Sequence, residues 1–245
     1  MKKHILAPVA LLALLVAAAS AFADTYVKTK SHTDAMSVMG QNTPARDETT
    51  EAWISGTRYA TGTADSWFVI DVEKKAAYFI NHKDKSYVEA PLPLDFAKIL
   101  PAEAAGMADM IKMTATVKAS AETKKIGTWD CTGYDVTMSV MGMQMNMRIW
   151  ASTAVPFDYA AFNKMFMPVV LQGQMRMGES AVAEFAKIKG YQVASELTGD
   201  IMGAKMRVTQ EVLEIADRPA PAGVYAPPAG YKKNASLSIA DLQKR

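Results

Sequence analysis

CTGYDVTMSVMGMQMNMRIWAS, residues 131–152, is the stretch on which the fold turns. Met141, Met143, Met145, Met147 and Ile149 fall at every second position, with Gln144, Asn146, Arg148 and Trp150 between them. Successive side chains of a strand point to opposite faces, so this is a strand period and not a helical one. One face carries thioethers and the other carries amides and a guanidinium. The thioether face must turn toward something apolar or soft. Two strands meet here across a turn at Val140 to Gly142, which sets up an antiparallel sheet.

Moving outward, the same alternation recurs. On the N-terminal side, Ile111 to Glu122 places Met113, Ala115, Val117 and Ala119 against Thr114, Thr116 and Lys118, and Ile126-Gly127-Thr128 turns it into the central stretch. Residues 24 to 90 read as a meander. Glu51 to Ala60 is a strand interrupted at Ser55-Gly56, and Ser66 to Val72, Ala76 to Asn81 and Ser86 to Glu89 come next, joined by charged turns at 73–75 and 82–85. Loops this short require antiparallel neighbours. Pro91 and Pro93 end the block. Asp95 to Met110 then predicts one or two short helices capped near Asp95 and broken at Pro101. On the C-terminal side, Phe157, Phe162, Met165, Phe166, Val169 and Val170 approximate helical spacing until Pro168 and Gly173 disturb it. Glu179 to Lys189 gives a cleaner helix through Val182, Phe185 and Ile188. Tyr191 to Thr198 and Ala204 to Ile215 are two long closing strands. The segment PAPAGVYAPPAGY, 219–231, is too proline-rich for helix or central strand and should lie extended on the surface.

The first 23 residues have the form of a signal peptide: Lys2 and Lys3, an apolar run from Ile5 to Ala18, and Ala21-Phe22-Ala23 before a cleavage point at Asp24. The apolar run is too short to span a bilayer comfortably, and no later stretch has the length of a membrane helix. With Lys2 and Lys3 removed from 27 basic side chains, 25 face 25 acidic ones. A neutral chain without a Lys/Arg cluster has no electrostatic footprint for nucleic acid. The single cysteine, Cys131, allows no internal disulfide, so the apolar half of the composition must build the core.

Catalytic and metal signatures are thin. The mature chain has only His32 and His82, and with Cys131 they fall short of a conventional zinc set. Cys131 beside Trp129 reads as a small buried hydrophobe rather than a nucleophile. Gly56, Gly62 and Gly142 stand alone and make no phosphate loop, and Asp34, Asp47 and Glu48 lack calcium-loop spacing. The expectation is a non-enzymatic protein with no cofactor.

The order of these elements is accompanied by particular residues: Trp53-Ile54-Ser55, Tyr78-Phe79-Ile80-Asn81 with Lys85-Ser86-Tyr87 after it, and Ile126-Gly127 with Cys131 and Tyr134 after it. To these are added Trp150-Ala151-Ser152 and the ending from Val224 to Lys233. Over most of residues 25 to 233 the pattern resembles an exported bacterial domain family related to the outer-membrane lipoprotein carriers, the LolA-like half-barrels. The chain departs from those carriers in beginning directly with a strand. The resemblance implies an α+β fold, with a curved antiparallel sheet forming an incomplete β-barrel wrapped around a few helices and a hydrophobic cavity between. About ten strands are expected, in one domain over residues 24–245.

Three readings of the methionines stay open. They can be an adaptable core, because methionine fills irregular gaps, within a structural or protein-interaction domain. They can line a cavity for a hydrophobic small molecule or lipid acyl chain, with Met138, Met143, Met145, Met147, Ile149, Phe68, Ile70, Met113 and Phe166 as its wall. Or Met141, Met143, Met145 and Met147 can bind Cu(I), which thioethers suit. The cavity reading makes the protein a periplasmic lipid-binding protein with a possible partner in the envelope.

Overall fold

The computed structural model describes residues 24–38, 40–101, 104, 113–140, 142–201, 203–238 and 241. The expected signal peptide, 1–23, lies outside the described residues, as do Met39, Met107, Met110, Met141 and Met202. The described chain is α+β. Its strands are β1 (Asp24–Thr33), β2 (Met36–Val38), β3 (Gln41–Thr43), β4 (Arg46–Ser55), β5 (Arg58–Gly62), β6 (Ser66–Asp71), β7 (Ala76–Asn81) and β8 (Ser86–Pro91). Then come β9 (Thr114–Ile126), β10 (Trp129–Val140) and β11 (Met143–Ser152). Helices α1 (Tyr159–Met165), α2 (Met167–Met175) and α3 (Glu179–Phe185) precede β12 (Tyr191–Ile201), β13 (Ala204–Arg218) and β14 (Lys232–Asn234).

Twelve of these strands form one sheet, in the order β14-β8-β7-β6-β5-β4-β1-β13-β12-β11-β10-β9, and β2 and β3 pair separately. The expectation of about ten strands is therefore too low. Ser55-Gly56 marks no interruption within a strand; the chain turns at Gly56-Thr57 and makes a hairpin of β4 and β5, with Ser55 opposite Arg58. The proline-rich tail also ends in a strand, with β14 running parallel to β8. The two long strands expected to close the sheet instead lie inside it. β13 pairs with β1 along Asp24↔Arg218 to Thr33↔Val208, so the first and second halves of the chain meet there.

The sheet is open and does not curl into the half-barrel. A physical reason lies in the first half of the chain, where both faces of the sheet are buried. Across β1, β4, β5, β6 and β7, one row holds Val27, Ala52, Phe68 and Phe79, which pack in a core that also holds Phe162 and Phe166 of the helical block. The opposite row holds Tyr26, Trp53, Ala60, Val69 and Tyr78, and it packs under Tyr225, Val224 and Ala220 of the tail. Every residue of β7 is buried as a result. A sheet covered on both sides reads as a continuous apolar run and has no single concave face to close around.

The helical block is shorter than the spacing suggests. Asp158 accepts a bond from the Ala161 N–H at 2.9 Å and starts α1. Pro168 stands in the first turn of α2, where no N–H is needed, so it begins a new helix instead of breaking one. Gly173 permits contact, since a Cβ there would lie 2.7 Å from Phe68 Cζ. The helix expected after Asp95 is one 3-10 turn, Phe96–Ile99, capped by Asp95. Most of the chain between that turn and Met113 lies outside the described residues. The free edge at β9 is partly occupied: Met113 exchanges bonds with Arg176 and Gly178, and the Val117 N–H donates to Glu184 Oε2 at 2.9 Å. Occupied edge groups of this kind guard a strand against pairing with foreign chains.

Candidate functional site

The strand period of the central stretch is realised as a face. Met138 lies opposite Met145 and Val136 opposite Met147, and the next strands continue the rows with Gly199 and Leu197 and then with Met206 and Val208. Met113, Met138, Met145, Met147 and Ile149 join Met167, Met175, Met177 and Leu171 in one hydrophobic cluster between sheet and helices. Met138 and Ile149 are fully buried there, Met145 and Met147 half-buried, and Met143 is 37 % exposed at the strand's start. Met145 and Met206 close over Gly199, where a Cβ would lie 3.1 Å from Met145 Cγ and 3.6 Å from Met206 Cε. On the reverse face Arg148 ties three strands together through Asp135, Glu122 and Ser120, with its guanidinium 4.9 Å from the Trp150 ring centre. The carboxylates beside it raise its pKa further and hold it charged.

Phe68, Ile70 and Phe166 belong to the other core on the helix side and are fully buried. Eight of the nine cavity-wall candidates thus divide between two packed clusters, and the ninth, Met143, is in neither because it lies exposed at the start of β11. A cleft among the described residues lies elsewhere, between the sheet and α1, with a volume of about 730 Å³. Of the nine, Phe166 alone lines it. Ile54, Phe157, Ala161, Phe162, Met165, Pro219 and Ala220 supply the rest of its apolar wall. Behind that wall Tyr59 and Tyr191 each set their rings 5.4 Å from Phe162, and Phe157 lies 5.0 Å from Tyr191. Burial pushes the Tyr59 hydroxyl up to about 12, so this aromatic floor stays neutral.

A scan of protein-family models finds no match to this chain, and a search of curated proteins finds none either.

The charged groups of the cleft are Asp24, Arg58 and Asp158. Two of them are engaged. Asp158 caps α1, and Asp24 accepts from the Tyr225 hydroxyl at 2.9 Å. Arg58 is exposed, lies 4.6 Å over the Tyr225 ring and makes no salt bridge among the described residues. A smaller cleft of about 260 Å³ runs under the tail, between Trp53, Trp67, His82 and Pro228. His82 Nδ1 lies 2.9 Å from the Tyr231 hydroxyl, and burial lowers its pKa.

The possible nucleophile and bases are apart. Cys131 is buried in β10 with its thiol pushed up by burial, while His82 comes directly after β7, eight places away in the sheet order. His32 is in β1, bonded to Asp47 at 2.7 Å. Among the described residues no group of three or more His, Cys, Asp or Glu side chains could hold a metal ion, and no helix is long and apolar enough to cross a membrane. The cleft-lining Phe157, Phe162 and Met165 were visible in the sequence as part of a helical period, but nothing in that period distinguishes a cleft wall from a core contact. Arg58 gave no signal, since one arginine beside a turn is ordinary.

Proposed function

We propose that this is an exported, periplasmic, non-enzymatic protein that holds a hydrophobic ligand, such as a lipid acyl chain, between its sheet and its helices. The observation that carries the reading is the cleft between β4, β5 and α1: about 730 Å³, within the size of small-molecule sites, with an apolar wall beneath a rim of Asp24, Thr25, Ser55, Arg58 and Asp158. Each methylene sheltered there contributes about 0.8 kcal/mol. The form of residues 1–23 supports export. Native mass spectrometry of protein purified without detergent tests the proposal. A defined lipid mass lost on organic extraction is the expected result; an apo mass with no uptake of a fluorescent fatty acid overturns it.

Cu(I) binding by methionine is the second reading, and the convergence of Met145 and Met206 over Gly199 is the observation in its favour. Competition with a strong Cu(I) chelator tests it.

A further inference from the structure

We infer that the cleft between β4, β5 and α1 selects a long-chain carboxylate, with Arg58 as the group that receives the ligand's head. The inference rests on the hydrophobic-ligand reading and goes further by assigning the chemistry of the polar end.

Arg58 opens β5 directly after the Gly56-Thr57 turn, on the rim of the cleft. Its Nη2 approaches Ser55 Oγ at 3.5 Å, and its guanidinium stacks over the Tyr225 ring at 4.6 Å. Those two contacts hold the side chain at the cleft and leave its remaining donors facing solvent. A guanidinium is always charged and presents a planar fork of donors that matches a carboxylate. The two carboxylates on the same rim do not take up that fork. Asp158 is turned to the Ala161 N–H, and Asp24 is held by the hydroxyl of Tyr225. Tyr225 therefore separates Arg58 from Asp24, with its ring under the cation and its hydroxyl on the acid.

Below the rim the wall becomes apolar: Ile54 from the sheet, and Ala161, Met165 and Phe166 from the helical side. Arg58 is the one side-chain cation of a rim that also carries Asp24 and Asp158; with those carboxylates held by their own donors, its fork above the apolar wall complements a molecule with one anionic end and one alkyl chain. An uncharged chain of equal length would fill the same wall and leave Arg58 in water.

The experiment uses the delipidated protein, N-phenyl-1-naphthylamine as a neutral apolar fluorescent probe, and palmitate and hexadecanol as competitors of equal chain length. In the parent, palmitate should displace the probe at a concentration at least about tenfold below that of hexadecanol, a difference of about 1.4 kcal/mol. Arg58→Gln, with each competitor referred to that variant's own probe affinity, should bring the two competitors together, while Arg58→Lys should restore part of the preference. Equal displacement by acid and alcohol in the parent, or an acid preference that survives in Arg58→Gln, overturns the role of Arg58 and leaves the hydrophobic-ligand reading standing. A parent that takes up no probe overturns both.

Discussion

At the scale of single residues, helix and sheet pack closely at Gly173. It is buried inside α2, and Phe68, 2 % exposed, occupies the space a side chain would need. Alanine elsewhere in a helix interior gains about 1 kcal/mol over glycine. Here that gain meets a Cβ placed 2.7 Å from Phe68 Cζ, and the ring cannot retreat freely because it also stacks on Phe79 with centroids 4.8 Å apart. Overpacking of this kind costs about 1–3 kcal/mol. Gly173→Ala should therefore lower stability by up to about 2 kcal/mol, the overpacking cost less the helix gain, measured as a lower urea midpoint at unchanged slope; a rise in midpoint would show that the ring moves without cost. Gly173 also shows what a sequence hides, for in the one-dimensional pattern it is a helix defect and in the fold it is a contact.

At the scale of elements, β11 was legible because its period is a property of the strand itself. The hairpin with β10, the turn at Gly142 with φ 78° and the half-burial of Met145 and Met147 all derive from alternation. Alternation does not state how far the helices reach along the strand, and Met143 lies past that point. This yields a prediction for the stretch as a unit. Replacing Met143, Met145 and Met147 together with leucine roughly conserves volume, and such swaps cost under about 1.5 kcal/mol each. The triple variant should fold, with urea denaturation showing a loss below about 3 kcal/mol because the 37 % exposed Met143 adds little. Probe uptake should be unchanged, since none of the three lines the cleft. If the parent holds Cu(I) against a strong chelator and the triple variant does not, the sulfurs are ligands and not packing. The helical block was less legible than the strands. Pro168 and the left-handed Arg176 at φ 52° divide a continuous apolar period into short pieces, and periodicity does not report such divisions.

At the scale of the whole molecule, the tail is the element whose role composition misjudged. Its prolines exclude helix and central strand, as expected, yet Tyr225 is buried and Leu237 reaches the main core beyond it. A chain ending at Arg218 should expose Trp53, Tyr78 and Ile80, bind a hydrophobic dye such as anilinonaphthalene sulfonate, and elute as aggregate; a monomeric, dye-free product would mean that the tail only decorates the surface. The sheet order bears on a different matter, the timing of assembly. β1 is the first strand of the described chain to leave a ribosome or a translocation pore, yet it sits mid-sheet between β4 and β13. Its partner β4 emerges within tens of residues, whereas the other, β13, begins at Ala204. Non-local pairing of this span slows folding, because loop closure must precede any reward. Until β13 emerges, β1 has one ladder satisfied and the other bare, and an unsatisfied edge recruits foreign strands. The nascent chain therefore passes through a prolonged half-built stage in which a chaperone able to shield a strand edge would govern its yield.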